Sequence, residues 1–591
     1  MTLPALRVAN CSGFYGDRLS AAREMVEGGP IDVLTGDYLA ELTMLILWKN
    51  QQRDPSTGYA KTFLTQMEQV LGTCKDRGIK VVANAGGLNP AGLADALRDL
   101  AQRLGVDVSV AHIDGDDLRG ELPTLLEKGV DFHHLDSGRS LEGAQITPLT
   151  ANAYLGAWGI VEALSGGADI VITPRVTDAS LIVGPAAWHF GWQPDDWDKL
   201  AAAVAVGHIV ECGAQATGGN YAFPSEIADR RAPGFPIAEI EANGSAVITK
   251  HPDTGGVVSV GTVTAQLLYE LVGPRYANPD VIARFDTVRL TQEGPDRVRV
   301  AGTKGEAAPT EVKVALNYSG GFRNSVTFML TGLEIERKAQ DAQDALRDAV
   351  GGWEQFDEVE IQLFRTDRWD ARTNAEATAQ LVVTVMSADR GLVGRRFSSA
   401  ATEIGLSSYA GFYTSAPPRD ATEFGIYWPA LVPAEHVQER VVRADGSVTT
   451  VTDRVREQRR PLQPDAQEES AVSEVVGATR PTPLGVLFGA RSGDKGGNGN
   501  VGLWARSEAA YAWLVGWLTP ARFRELCPET APLRVDRYLL PNLLAVNFVV
   551  RGLLGEGVAA STRPDPQAKS LGEFLRSRVV EIPVALLGEA A

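Results

Sequence analysis

Apolar runs and amphipathic stretches alternate through the first third of the chain. LRVANCSGF, IDVLTGDY, IKVVANAGG and VDVSVAHID predict strands. Residues 19–27, AELTMLILWKNQ, TFLTQMEQVLGTCKDRG and NPAGLADALRDLAQRLG predict helices between them. The last of these has Pro90 in its first turn and Gly105 at its end, the usual helix punctuation. Strands alternating with helices at this spacing predict an α/β fold with a parallel sheet. After a looser insert at 115–149 the pattern resumes. ANAYLGAWGIVEALSGG reads as a helix, ADIVITPR as a strand, and DASLIVGPAAWHFG as the lead into another helix.

From residue 223 onward the pattern changes to short β-like runs, such as GGVVSVGTVTAQLLYELV, RVRVAG, EVKVALNY and NSVTFML. EVEIQLFR and AQLVVTVMSA continue this mixed character to residue 442. Residues 443–483 are polar, charged and punctuated by proline, a composition that predicts a linker. The remainder reads as two strands, a helix, two strands, a helix and a strand, a small α+β domain of ferredoxin-like character. The predicted division is therefore 1–222 (α/β), 223–442 (β-rich continuation), 443–483 (linker) and 484–591 (ferredoxin-like).

Composition narrows the function classes. The 591 residues carry a net charge of −18, with 44% hydrophobic and 22% charged residues. A uniformly acidic chain without a basic run is a poor nucleic-acid binder, because that affinity comes from Lys and Arg on phosphates. The N-terminal MTLPALRVANCSG lacks the pattern of a secretory signal. The apolar stretch YLLPNLLAVNFVVRGLL is interrupted by Pro541, Asn542, Asn547 and Arg551, so no membrane span is expected. Cys11, Cys74, Cys212 and Cys527 form no CxxC pair. A cytoplasmic protein with neither disulfide scaffold nor structural zinc is expected. The apolar helix AELTMLILWKNQ and the β-rich middle suggest an even-numbered homo-oligomer.

GARSGDKGGNGNVGL, residues 489–503, is the most conspicuous glycine-rich stretch. It is not a P-loop. Gly496 follows Lys495 where a hydroxyl would be needed, and the stretch joins strand to strand. It reads as a long hairpin loop. Arg491, Asp494 and Lys495 make it a candidate to reach a cleft in the α/β domain and meet an anionic ligand.

Ligands of parallel α/β sheets bind beyond the carboxyl ends of the strands. Four loops fall there. CSGFYGDR offers Gly13, Gly16, Asp17 and Arg18; TGDYLAE offers Asp37, Tyr38 and Glu41; NAGGLNPAG offers Asn84, Gly86, Gly87 and Asn89; TPRVTDASL offers Arg175 and Asp178. The third opens a helix and reads as the best anion site. Each loop also has a plainer reading. The aspartates suit helix caps, the asparagines suit turns, and Arg175 with Asp178 suits a local ion pair. The full G-x-G-x-x-G fingerprint is absent, and no cofactor is expected. In GHIVECGAQATGG a helix would put His208, Glu211 and Cys212 on one face, where they could form an acid/base pair. No second His/Cys cluster completes a metal shell. Cys11 has no identifiable histidine partner.

GDYLAELTM, KVVANAGGLNPAG, GADIVITPRVTDASL, GHIVECGAQATGG and ARSGDKGGNGNVGL together resemble the acyclic terpene utilisation protein A family, over nearly the whole chain. The resemblance implies a C-terminal ferredoxin-fold domain. It also implies a setting in acyclic terpene breakdown beside acyl-CoA carboxylases, hydratases and dehydrogenases. With the loop rim, this leads to the expectation of a non-redox enzyme, of hydratase or lyase type, acting on an acyl-CoA or related carboxylate. Asp17, Asp37, Asp178, His208 and Glu211 are the candidate acids and bases. Arg18, Tyr38, Asn84, Gly86, Gly87, Asn89, Arg175, Arg491, Asp494 and Lys495 are the candidate substrate-binding residues. The rivals are a non-catalytic acyl-CoA-binding or assembly partner, and a metal-dependent lyase or hydrolase built on His208 and Cys212.

Overall fold

A computed structural model describes residues 3–452 and 477–588. Most of the predicted linker, residues 453–476, lies outside the described residues. The described part of its flanks is partly strand: Val448–Thr450 pairs with Arg440–Val442, and Thr479–Pro483 pairs with Val579–Pro583.

The chain forms two compact units, each continuous only in space. The larger draws on residues 1–317, 427–558 and 567–591, and the smaller on 318–426 and 559–566. At the centre of the larger unit lie five parallel strands. Their order is Leu6–Asn10, Val33–Gly36, Lys80–Ala83, Ile170–Ile172 and Val110–Asp114. Their side chains are buried almost without interruption because helices cover both faces, which is why the strands read as continuous apolar runs. Lys61–Arg77 buries Phe63, Met67, Val70, Leu71 and Cys74, and Pro90–Leu104 buries Leu93, Leu97 and Leu100 in the same core.

Part of the β-rich text extends this sheet, and the rest builds separate ones. Pro236–Ile240, Ala246–Lys250, Arg297–Ala301 and Arg289–Gly294 add antiparallel strands at one edge, and Arg440–Val442 and Val448–Thr450 at the other. Two local readings need correction. ANAYLGAWGIVEALSGG opens as a strand, Thr150–Ala153, and its helix starts only at Trp158. The strand exists because residues 314–317 pair with it, a partner distant in sequence. GGVVSVGTVTAQLLYELV contains a helix, Val260–Leu268. Ser259 and Thr262 cap it reciprocally, at 3.2 and 3.0 Å, and burial of Val263, Leu267 and Leu268 overrides the weak helix propensity of its β-branched residues.

The ferredoxin-like domain packs within the larger unit. Its antiparallel sheet runs Phe488–Lys495, Asn498–Ala505, Ala545–Val550, Val535–Leu540. The predicted single helix AYAWLVGWLTPARFRELC is two, Glu508–Trp517 and Pro520–Leu526, because Pro520 starts a new helix capped by Thr519. In the smaller unit, residues 322–331, Thr378–Ser387 and Glu358–Phe364 form a sheet. The helix Ile335–Val350 packs on it through Ile335, Ala339, Ala342, Leu346 and Val350, an apolar stripe of helical period. Among the described residues, no helix is long and apolar enough to cross a membrane.

Candidate functional site

The loops leaving the parallel strands are tied together by Asn84. Its Oδ1 accepts from the Tyr38 amide at 2.7 Å, and its Nδ2 donates to Asp37 Oδ1 at 2.6 Å. The Leu39 amide also donates to Asp37 Oδ1, at 3.2 Å. Both donors fall on one oxygen, Oδ1. Burial, then the charge of Asp178, pushes the Asp37 carboxyl well above the usual carboxylate range. Tyr38 turns into the core, its hydroxyl on Gln66 and its ring edge-on to Phe63. It is therefore a packing residue and not a substrate contact.

Arg175 is the electrostatic centre. Only 3% exposed, it reaches Asp178 Oδ1 at 2.9 Å and the Leu39 carbonyl at 3.0 Å, and it stacks on Tyr154 with its guanidinium carbon 4.3 Å from the ring centre. Its backbone amide donates to Asp116, which also accepts from Asn152 at 2.7 Å. The local ion pair read from TPRVTDASL is real, and it lies on the wall of a cavity.

That cavity, of about 990 Å³, is lined by Asp17, Asp37, Glu41, Arg175, Asp178, Glu211, Glu270, Lys313, Asp494 and Lys495 among its polar groups. Its apolar wall includes Phe14, Leu39, Leu42, Ile46, Leu135 and Leu431. Leu42 and Ile46 are the two apolar side chains that the helix Glu41–Arg53 leaves exposed.

Asp494 and Lys495 arrive from the ferredoxin-like domain of the same chain. The glycine-rich stretch is not a loop but two paired strands, turning at Gly496 and Gly497, with Arg491 opposite Gly502 and Lys495 opposite Asn498. Its glycines permit close docking: a Cβ on Gly502 would come within 2.7 Å of Leu268, and one on Gly493 within 2.4 Å of Tyr269. Two buried asparagines secure the contact. Asn500 accepts from the Glu270 amide at 2.8 Å and donates to the Leu268 carbonyl at 3.0 Å, while Asn547 donates to the Leu271 carbonyl at 2.8 Å. They hold Glu270 at φ +55°, the left-handed region that non-glycine residues seldom occupy. Arg491 is not a cavity residue; it is buried 4.4 Å over the Tyr269 ring.

Several other sequence candidates are placed elsewhere. Arg18 pairs with Glu24 at 2.7 Å and lies over Phe235. The loop from Asn84 to Asn89 is no anion cradle. The amides of Gly86, Gly87, Leu88 and Asn89 donate to the carbonyls of Thr173, Asn84, Gly58 and Gly86, and Asn89 caps its own helix through Gly92. Asp17 lines the cavity but accepts from the amides of Gly13 and Arg18, at 2.8 and 2.7 Å, and so organises its own turn.

His208 and Glu211 meet at the end of the helix Trp197–Val210, Nδ1 to Oε1 at 3.1 Å. Burial, then the Lys495 charge, lowers His208 to about 4, while burial, then Asp178, holds Glu211 well above its usual range. Both shifts disfavour the charged forms, with Glu211 on the cavity and His208 behind it between Tyr276 and Phe285. Burial pushes the Cys11 thiol up to about 12 and Cys212 well above its ordinary value, which leaves neither as a ready nucleophile. Among the described residues, no group of three or more His, Cys, Asp or Glu is placed to hold a metal ion.

Lys313, Glu270, Tyr154 and Asp116 belong to the site without a local sequence signal. Asp116 yields a prediction. Burial, only partly offset by the Asn152 donor, raises its carboxyl from 3.8 to about 7. The folded protein keeps this proton after the unfolded chain has released it. The stability it contributes is complete below about pH 4 and is lost as the pH rises to about 7. Asp116→Asn is expected to reduce the fall in urea-unfolding free energy across that interval; an unchanged slope contradicts it.

Fold and cavity together define an α/β protein whose acid- and base-lined cleft is completed by a ferredoxin-like domain. Residues 6–443 match the acyclic terpene utilisation family protein AtuA, and residues 482–581 match the AtuA ferredoxin-like domain. The chain belongs to the AtuA family. No curated protein matches it.

Proposed function

We propose that the protein is an acid–base enzyme of hydratase or lyase type, acting on a branched acyclic carboxylate or its acyl-CoA thioester. The observation that carries this reading is the buried Asp37 carboxyl, which burial and then the Asp178 charge raise above the usual range, sharing the wall of an extensively apolar cavity with the Asp178–Arg175 ion pair. In hydration, the Asp178 carboxylate takes a proton from water as its oxygen bonds to the β-carbon of an enoyl group. Asp37 delivers the proton from Oδ2 to the α-carbon, and the reverse sequence expels water. The apolar side chains of Leu39, Leu42, Ile46 and Leu431 suit a branched hydrocarbon chain, and family membership supports an acyclic terpenoid origin for it.

The test is a mass-spectrometric panel of branched enoyl and hydroxyacyl substrates, as free acids and as CoA thioesters. Gain or loss of one water from at least one member is expected. Asp178→Asn should abolish the conversion while the protein stays folded. If no member binds or is converted, the reading fails; if Asp178→Asn binds and supports the pathway like wild type, the protein is a binding partner instead.

A further inference from the structure

Arg175 spends its Nη1 on Asp178 and the Leu39 carbonyl, lies over the Tyr154 ring, and keeps its Nε buried without a hydrogen-bond partner. The cavity holds two other cations whose donors are unspent. Lys313 Nζ is 3.6 Å from Glu41 Oε1, and Lys495 Nζ is 3.8 Å from Glu270 Oε2, both beyond hydrogen-bonding distance. About a quarter of each lysine side chain is exposed, and both line the cavity. Both ammonium groups act on the same carboxylate, Glu41. Lys313 lies 4.9 Å from the centre of the Tyr154 ring and 5.4 Å from that of Tyr427, and the turn after Lys495 brings Gly496 against the same Tyr427.

We infer that Lys313 and Lys495 form a carboxylate subsite, in which the acid group of a ligand takes the hydrogen bonds that Glu41 and Glu270 do not make. This rests on the reading of the cavity as a substrate site and adds to it that the ligand brings a free carboxylate inside. Glu41 supports the assignment. Burial alone would raise its carboxyl, yet Lys313, Lys495 and Arg175 outweigh burial and bring it down to about 2. A carboxylate is thus already stabilised here by the same cations, at distances too long to satisfy them. Glu41 is the internal competitor that a ligand carboxylate must outbid in this field.

The test uses the full-length protein and isothermal titration with two probes, citronellic acid and citronellol, which share a carbon chain and differ in the acid group. Wild type is expected to bind the acid at least about tenfold more tightly than the alcohol, as charge-assisted hydrogen bonds allow. Lys313→Gln and Lys495→Gln should each erase most of that preference and leave alcohol binding unchanged. Lys313→Arg, which keeps the charge, should retain it and guards against a folding defect. Glu41→Gln should tighten the acid several-fold and leave the alcohol unchanged, a result that a purely structural role for Glu41 does not give. Equal affinity for acid and alcohol, no acid binding, or unaltered preference in both lysine variants overturns the subsite. Asp37→Asn separates this from the catalytic reading: it should bind the acid like wild type, so loss of turnover there is independent of the lysines.

Discussion

Asp37→Asn is expected to lower turnover by about 10²–10⁴-fold, the usual contribution of a positioned acid or base, with little change in substrate affinity. An amide at this position can still accept from Asn84 and from the Leu39 amide, as Oδ1 does now at 2.6 and 3.2 Å, so the loop after the second parallel strand keeps its shape. What the amide cannot do is release a proton. Linkage gives a second readout. The Asp37 carboxyl is raised in the folded state, by burial and then by Asp178, so its contribution to stability falls as pH rises through its folded value. The amide removes that fall. The variant should therefore lose turnover and show a smaller fall in stability with rising pH than wild type. A variant that is both inactive and unfolded would assign Asp37 a structural role.

Arg175→Met is expected to destabilise the larger unit by about 3 kcal/mol, in the range for removing one partner of a buried ion pair. The loss is threefold. Asp178 loses its partner, the Leu39 carbonyl loses a donor, and Tyr154 loses the cation on its face. Arg175→Lys should recover only part of it. A single ammonium cannot reproduce the planar guanidinium that bonds and stacks at once. Urea unfolding of the three proteins measures this. A Met variant within about 0.5 kcal/mol of wild type, the scale of ordinary surface changes, contradicts the placement of Arg175 as the buried centre of the site.

The part of the site visible in the sequence is the part built locally. In VLTGD and IVITPRVTD an apolar run is followed at once by charged residues, and a strand buried on both faces must deliver such residues to its exposed end. Asp37, Arg175 and Asp178 were legible for that reason. Asp494 and Lys495 stood out as charges among glycines, although the glycines serve strand docking and not a loop. Lys313 was hidden because a single lysine in EVKVALNY looks like a solvent-facing strand position. Only the pairing of residues 314–317 with Thr150–Ala153 brings it to the cavity. Glu270 follows a helix disguised by β-branched residues, and two asparagines more than 200 residues away hold its backbone. The loop from Asn84 to Asn89 was overread in the other direction. A helix start offers free amides only if the chain does not use them itself, and here it does.

The most direct test of the acid–base reading is turnover in deuterium oxide. Wild-type protein is incubated with branched enoyl acids and their CoA thioesters, and the products are analysed by mass spectrometry. The account predicts a product that has gained the elements of solvent, with deuterium bonded to the α-carbon, and no such product from Asp37→Asn. Consumption of substrate without solvent deuterium at carbon, or equal labelling by the Asp37 variant, would contradict it.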